Sequence, residues 1–387
     1  MDILTVKDLS VDLGEFSLRK VSFGVPEGSY CCLLGASGAG KSILLETIMG
    51  GFSPKHGKVF LRGEDVTNLP PEKRKLGIVY QDYMLFPHLD VFNNIAFGLK
   101  EKSLKKTEIH ESVLDISKNL HIDGLLHRNI STLSGGEQQR VALARALITK
   151  PEILLMDEAF SALDLSSREK MRQLVRSTVR DLGITVLHVT HDSEDVWALA
   201  DKVAVIHDGA LLQSGTPDEV FQCPRPGYVA GLVGARNILA GTITESDHIC
   251  NSTIECKGEC FYSAGSKYME KDQEILFSVR PEDIMVARKP MAVSSRNQME
   301  MNIEGVEKRG PLVWLSGRKG ELELHAVVTA SSYEDLELEI NTNAVFIFKA
   351  RAVQILEEDT SGIPMKARLF IFLCKWFFLI PETVLRI

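Results

Sequence analysis

The run Gly35-Ala36-Ser37-Gly38-Ala39-Gly40-Lys41-Ser42 has the spacing G-x-x-x-x-G-K-S. It follows an apolar stretch, Tyr30–Leu34, and precedes a helical one, Lys41–Met49, that stops at Gly50-Gly51. Small residues let consecutive backbone N–H groups curl around phosphate oxygens, and the start of the helix adds positive field. Lys41 is set to reach the β and γ phosphates of a nucleotide, and Ser42 to ligate Mg2+. A chance glycine loop would lack the flanking strand and helix. A second signal is Asp157-Glu158, which ends the apolar run Ile153–Met156. Adjacent acids at a strand end are, alone, more often a solvated turn. Facing a phosphate loop across a parallel sheet, they fit a Mg2+ carboxylate at Asp157 and a general base at Glu158 that polarises the attacking water. The third is Leu133-Ser134-Gly135-Gly136-Glu137-Gln138-Gln139-Arg140. Ser134 and Glu137 form a capping box for a helix running through Val141 and Leu147, and the two glycines bare N–H groups for an anion.

These residues need a framework, and the flanking patterns supply one. Residues 1 to about 62 alternate apolar and polar with turn signals, which predicts an antiparallel sheet around one βα unit. Residues 83 to 135 are helix-rich, with Ile109, Val113, Ile116 and Leu120 at amphipathic spacing. The stretches Ile153–Met156, Thr185–Val189 and Val203–His207 alternate with helical ones, as a parallel sheet requires, and Asp208-Gly209 turns the last back as a hairpin. After about residue 235 short strands replace long helices. Two similar openings, Ala235-Arg236-Asn237-Ile238 and Ser295-Arg296-Asn297-Gln298, suggest a duplicated small β barrel, with a break at Arg288-Lys289-Pro290. Domains are expected at 1–235, 236–357 and an apolar tail at 358–387.

The chain has 387 residues and a net charge of -8, which gives no reason to expect nucleic-acid binding. The pattern reads straight into a strand from Met1, so no signal peptide is expected. Of its seven cysteines, Cys31 and Cys32 lie in an apolar strand and read as buried. Cys250, Cys256 and Cys260 lack metal-knuckle spacing, so reduced thiols in a cytosolic location fit better than a metal site. Leu369–Ile380 is too short to span a bilayer; a helix packed on its own domain or a partner is expected, with an interfacial anchor as the alternative.

The motif set resembles the ABC-type ATPases. Walker A (Gly35–Ser42), Q-loop (Gln81), signature (Ser134–Gly136), Walker B (Asp157-Glu158), D-loop (Ser161-Ala162-Leu163-Asp164) and H-loop (His191) stand in family order over residues 1 to about 235. The resemblance implies an α/β P-loop NTPase using ATP and Mg2+. Ser134 and Gly136 of one copy would meet the γ-phosphate held by the other, so the working form is a homodimer closed on ATP. Gln81 would sense Mg2+ and water and link to the membrane partner. His191 would steady the γ-phosphate and the base. An aromatic near the amino terminus stacks on adenine in the family; Phe16 is the candidate, and core packing beside Leu13 or Leu18 is the alternative. Ala159 stands where the family has proline, which would loosen the turn.

One ATPase unit without spanning segments resembles the separate subunit of an importer, peripheral on the cytoplasmic face of the membrane beneath integral-membrane permeases and fed indirectly by an extracytoplasmic oxyanion-binding protein. Tyr83, Leu85 and Phe86 would line the groove for a permease helix, unless they are core. Ser278-Val279-Arg280-Pro281-Glu282-Asp283-Ile284 and Phe348-Lys349-Ala350-Arg351-Ala352-Val353 resemble an all-β regulatory module of molybdate and tungstate importers. There Ser294, Arg296, Asn297 and Lys349 offer the donors and cations a dianion requires, and molybdate or tungstate would act as regulator. The alternative is a plain barrel whose Arg and Lys are solvated. Arg351, and Gln298–Met301 without the usual glycine, depart from that pattern. Sulfate, sugar, polyamine or iron import are the competing transport readings, and a soluble non-transport ABC ATPase is the competing class.

Overall fold

A computed structural model describes residues 1–100, 104–222, 224, 227–232, 236–247, 251–264 and 268–356. Cys250 and the tail 358–387 lie outside the described residues. The chain divides into two compact units, Met1–Gln222 and Cys223–Ile387.

The first unit contains an antiparallel sheet of β1 (Asp2–Asp12), β2 (Ser17–Pro26), β4 (His56–Leu61) and β5 (Glu64–Asp65), in the order β2-β1-β4-β5. A second sheet, ordered β10-β9-β3-β8-β7-β6, is built on β3 (Tyr30–Leu34). Its other strands are β6 (Leu76–Val79), β7 (Ile153–Asp157), β8 (Thr185–Thr190), β9 (Lys202–His207) and β10 (Ala210–Gly215). All of β3 is buried, the pattern of a parallel strand covered on both faces. Cys31 and Cys32 are part of it; burial pushes the Cys31 thiol up to about 12 and the Cys32 thiol well above its ordinary value, so neither is a nucleophile. β10 returns antiparallel through Asp208-Gly209.

The helices that matter to the site are α1 (Lys41–Met49), α2 (Val91–Ala96), α3 (Lys106–Asn119), α4 (Gly135–Leu147), α5 (Leu165–Leu182) and α6 (Ser193–Leu199). α1 ends at Gly50, whose φ of 96° only glycine adopts freely. The Arg74 guanidinium also holds that end, donating to the carbonyls of Thr47 and Ile48. In register, Leu34 pairs with Thr190, and Asp157 with Val189. The carboxyl ends of β3, β7 and β8 are therefore level, and Gly35, Glu158 and His191 each follow one of them.

The second unit pairs two five-stranded antiparallel sheets over one core. Its first half gives β11 (Asn237–Ser246), β12 (Asn251–Cys256), β13 (Glu259–Ala264), β14 (Glu274–Val279) and β15 (Met285–Ala287). Its second gives β16 (Asn297–Arg309), β17 (Leu312–Lys319), β18 (Leu322–Thr329), β19 (Asn343–Phe348) and β20 (Gln354–Leu356). The sheets run β13-β12-β11-β14-β20 and β18-β17-β16-β19-β15. The two orders are the same, and each half lends its fifth strand to the other. The hairpin tips repeat as well. Lys257-Gly258-Glu259 and Lys319-Gly320-Glu321 reach across, Lys257 Nζ to the Glu321 carbonyl at 2.9 Å and Lys319 Nζ to the Glu259 carboxylate at 2.7 Å. The duplication expected from two Arg-Asn openings is explicit in this topology.

Candidate active site

The phosphate loop leaves β3 and wraps the start of α1. Gly40 has φ 100°, and a Cβ there would lie 2.6 Å from the Phe16 ring. Phe16 thus covers the end of the loop, half-buried, while also packing on the core of the antiparallel sheet. Both expected roles of that ring are open to it in this position. Lys41 is buried, and its ammonium donates to the Gly35 and Ala36 carbonyls at 2.9 Å each. It also lies 3.5 Å from Glu158 Oε1. Burial lowers the Lys41 pKa, and the Glu158 and Asp157 carboxylates oppose that shift.

Opposite stand the acids. Ser42 Oγ donates to Asp157 Oδ1 at 3.3 Å. Burial raises the Asp157 pKa, which the Ser42 hydrogen bond only partly offsets. A half-buried carboxylate beside a hydroxyl, short of compensating charge, is a donor set suited to a hard cation. Glu158 has φ 44°, a left-handed conformation that strains a residue with a Cβ by about 1 kcal/mol or more. Three hydrogen bonds hold it there. Its N–H donates to the Val189 carbonyl at 2.9 Å, and its carbonyl accepts from Ser161 N (3.0 Å) and Ser161 Oγ (2.8 Å). Gln139 Nε2 adds a bond to the Ala159 carbonyl at 2.9 Å. The turn expected to be loose without proline is pinned. His191 Nδ1 faces Glu158 Oε2 at 3.1 Å.

The segment carrying His191 is anchored by a network that the motif reading missed. The buried Arg172 on α5 bonds Asp195 (2.7 Å), Asp192 (3.0 Å) and Glu194 (3.1 Å). Thr190 Oγ1 donates to Asp195 Oδ2 at 2.7 Å and accepts from the Asp192 N–H at 3.0 Å. Both neighbours of His191 are thus fixed. The signal was present: basic residues one turn apart at 168 and 172, and acids at 192, 194 and 195 after a strand.

Gln81 is exposed in the turn that follows β6, the strand beside β7. The capping box at Ser134 is formed: Glu137 Oε2 accepts from Ser134 N (2.7 Å) and Oγ (2.8 Å), and these bonds hold the Glu137 carboxyl below its ordinary range. A Cβ on Gly136 would meet nothing within 4 Å, so that backbone is open. The side-chain bonds of Ser134 run to Glu137, within its own turn. Tyr83 corrects an expectation. Left-handed φ values of 61° and 42° at Tyr83 and Met84, with Arg145 donating to both carbonyls, turn Tyr83 inward. It is 6% exposed, whereas Met84 is 53% and Phe97 44% exposed. Leu85 and Phe86 are half-buried, the Phe86 ring packed against that of Phe97 with centroids 4.4 Å apart and planes tilted by 43°.

In the second unit the expected anion residues separate. Asn297 is buried, and its carboxamide brackets Tyr262, accepting from its N–H (2.7 Å) and donating to its carbonyl (2.9 Å). Asn237 does the same to His325, at 2.6 and 2.8 Å. Both amides therefore join one half to the other. Ser294, Arg296 and Lys349 are exposed, and Arg296 lies over the Tyr262 ring at 5.2 Å. Cys256 is buried, its thiol pushed up to about 11, and Cys260 is exposed. No group of three metal-ligating side chains occurs among the described residues.

Residues 18–161 match the ABC transporter family. The chain is 40% identical over 353 residues to the molybdate/tungstate import ATP-binding protein WtpC of Pyrococcus horikoshii, covering 91% of this chain and 99% of that protein. The WtpC protein of Thermococcus kodakarensis is 42% identical, over 80% of this chain and 91% of its own. The spermidine/putrescine import ATP-binding protein PotA of Mesoplasma florum is 35% identical, over 79% and 86%. Among solved structures, cbiO1 of Clostridium perfringens, part of the ABC transporter complex cbiONQ, aligns with a TM-score of 0.54 and 28% identity, over 57% of this chain and 91% of that one. Sequence kinship over both units and the fold of the first agree: the chain belongs to the ATP-hydrolysing import subunits of the ABC transporter family.

Proposed function

We propose that the chain powers molybdate or tungstate import, hydrolysing ATP in two sites that each need a second copy of the chain. The observation that carries the catalytic part is the Glu158 carboxylate, held between Lys41 at 3.5 Å and His191 at 3.1 Å. In this reading Gly35–Ser42 grips the triphosphate, and the Lys41 ammonium leaves the loop carbonyls for the β and γ phosphates. Ser42, Asp157 and Gln81 would hold Mg2+, which neutralises phosphate charge when bound. Glu158 takes the proton of the attacking water, and His191 orients Glu158 and the γ-phosphate. Phe16 stacks on the base. The open Ser134–Gly136 turn caps the γ-phosphate of the partner copy, its bare backbone suited to an anion.

The permease faces the half-exposed apolar strip of Met84, Leu85, Phe86 and Phe97, at the cytoplasmic side of the membrane. Among the described residues no helix is long and apolar enough to cross a bilayer, which fits a subunit that depends on a membrane partner. Likeness to WtpC proteins across both units supports the oxyanion reading, and the PotA likeness keeps polyamines as the second reading. Residues 236–357 would act as the regulatory domain, with exposed Ser294, Arg296 and Lys349 meeting the anion and Asn297 holding the loop beside them. The test is ATP-driven uptake by the chain assembled with its permease in vesicles. Molybdate or tungstate accumulation is expected, and accumulation of spermidine instead overturns the substrate. Calorimetric titration of the chain with molybdate, tungstate and sulfate tests the regulatory part separately.

A further inference from the structure

Six polar contacts close a ring around Glu158. Its carbonyl accepts from Ser161 N and Oγ at 3.0 and 2.8 Å. The Ser161 carbonyl accepts from Arg168 Nη2 at 3.4 Å, and the same nitrogen reaches the Leu163 carbonyl at 3.3 Å. Arg168 Nη1 pairs with Asp192 Oδ2 at 3.0 Å. Asp192 directly follows His191, and His191 Nδ1 returns to Glu158 Oε2 at 3.1 Å. From this geometry we infer that Arg168 is a positioning residue for hydrolysis: its guanidinium links the Ser161–Leu163 turn to the segment carrying His191, so that movement of the turn shifts the His191–Glu158 pair. The inference rests on the roles proposed above for Glu158 and His191.

The residue type suits the task. A planar guanidinium directs its two terminal nitrogens to different partners at once, which a lysine ammonium does not do in fixed geometry. Holding α5 to the start of α6 does not need it, because the buried Arg172 already bonds Asp192, Glu194 and Asp195. What Arg168 adds is the grip on the turn. That turn is presented outward: Ala162 and Asp164 are exposed, and the next residue, Leu165, is 79% exposed. It is placed to be pressed by an approaching second copy, and the ring converts that pressure into alignment of the base. Glu158 amplifies the effect, because its left-handed backbone at φ 44° is held by the same Ser161 bonds. A small shift of a reacting group is enough to cost orders of magnitude in rate.

The experiment measures steady-state ATP turnover and melting of the full-length chain for a set of variants. Arg168→Ala should lower kcat about 10- to 100-fold while leaving the KM for ATP within about twofold, because the phosphate loop is untouched. Val175→Ala, a cavity on the same helix outside the ring, controls for stability: it should melt at least as early and keep kcat. Arg168→Lys should restore melting through its ion pair with Asp192 but not turnover. On a His191→Ala background, Arg168→Ala should add less than about twofold, because it acts through that histidine. Arg168→Ala turning over like Val175→Ala, full recovery by lysine, or a full multiplicative loss on His191→Ala would each overturn the inference. Wild-type turnover in Glu158→Gln would instead remove the base assignment, a separate failure read in a separate variant.

Discussion

The two units place polar residues at similar structural points and use them differently. In the first unit, side chains at the ends of β3, β7 and β8 converge while keeping capacity in reserve. Lys41 rests on loop carbonyls, Asp157 is short of positive charge, and His191 is half-exposed with one contact to Glu158. In the second unit, Asn237 and Asn297 stand at equivalent strand starts and use both carboxamide atoms on the backbone of the opposite half. A motif residue whose bonding is complete within the fold is architecture. One whose bonding is partial and convertible is available to a ligand.

Four measurements break or sharpen that contrast, the largest first. Glu158→Gln should lower turnover about 1,000-fold, within the range for a lost general base, while fluorescent ATP still binds; weakened binding alone would mean the carboxylate only shaped the pocket. Asn237→Ala and Asn297→Ala should each destabilise the second unit by about 2 kcal/mol, since each leaves two partly buried backbone groups without their side-chain partner, and leave turnover of the first unmoved. Clearly unequal losses would say that the duplication is not energetically equivalent. The third is pH. Burial lowers the His188 pKa from 6.5 to about 4, so the histidine is neutral in the fold. Its stability contribution is complete above pH 6.5 and is lost as pH falls towards about 4, on the order of 2–3 kcal/mol, and His188→Gln should flatten that part of the melting profile. The buried first-unit histidine should dominate over His325, which burial lowers less. The smallest is Arg296→Ala. An exposed guanidinium should change stability by less than about 0.5 kcal/mol, yet abolish any slowing of turnover by molybdate. Loss of melting temperature without loss of that response would make Arg296 architectural like its neighbour Asn297.

What was legible in the sequence follows the range of the interactions involved. The phosphate loop, the strand Tyr30–Leu34, the helix Lys41–Met49 and the Ser134–Glu137 capping box depend on neighbours within a few residues, and the structure has each of them where the pattern predicts. Apolar residues after Gln81 suit a groove, which predicts an outward Tyr83. Two consecutive left-handed residues and Arg145, 62 positions along the chain, turn it inward. Asn297 looked like a ligand donor because nothing local reveals that Tyr262 lies opposite it. The Arg172 network likewise joins α5 to residues beyond the next strand, and it carries no motif of its own.

In the proposed function hydrolysis requires two copies, the open Ser134–Gly136 turn of one serving the nucleotide of the other. The direct test is ATP turnover per chain as the full-length protein is diluted, with mass followed in the same samples. Turnover per chain should fall towards zero as the mass falls to that of one chain. A strictly monomeric preparation turning over at the full per-chain rate would contradict it.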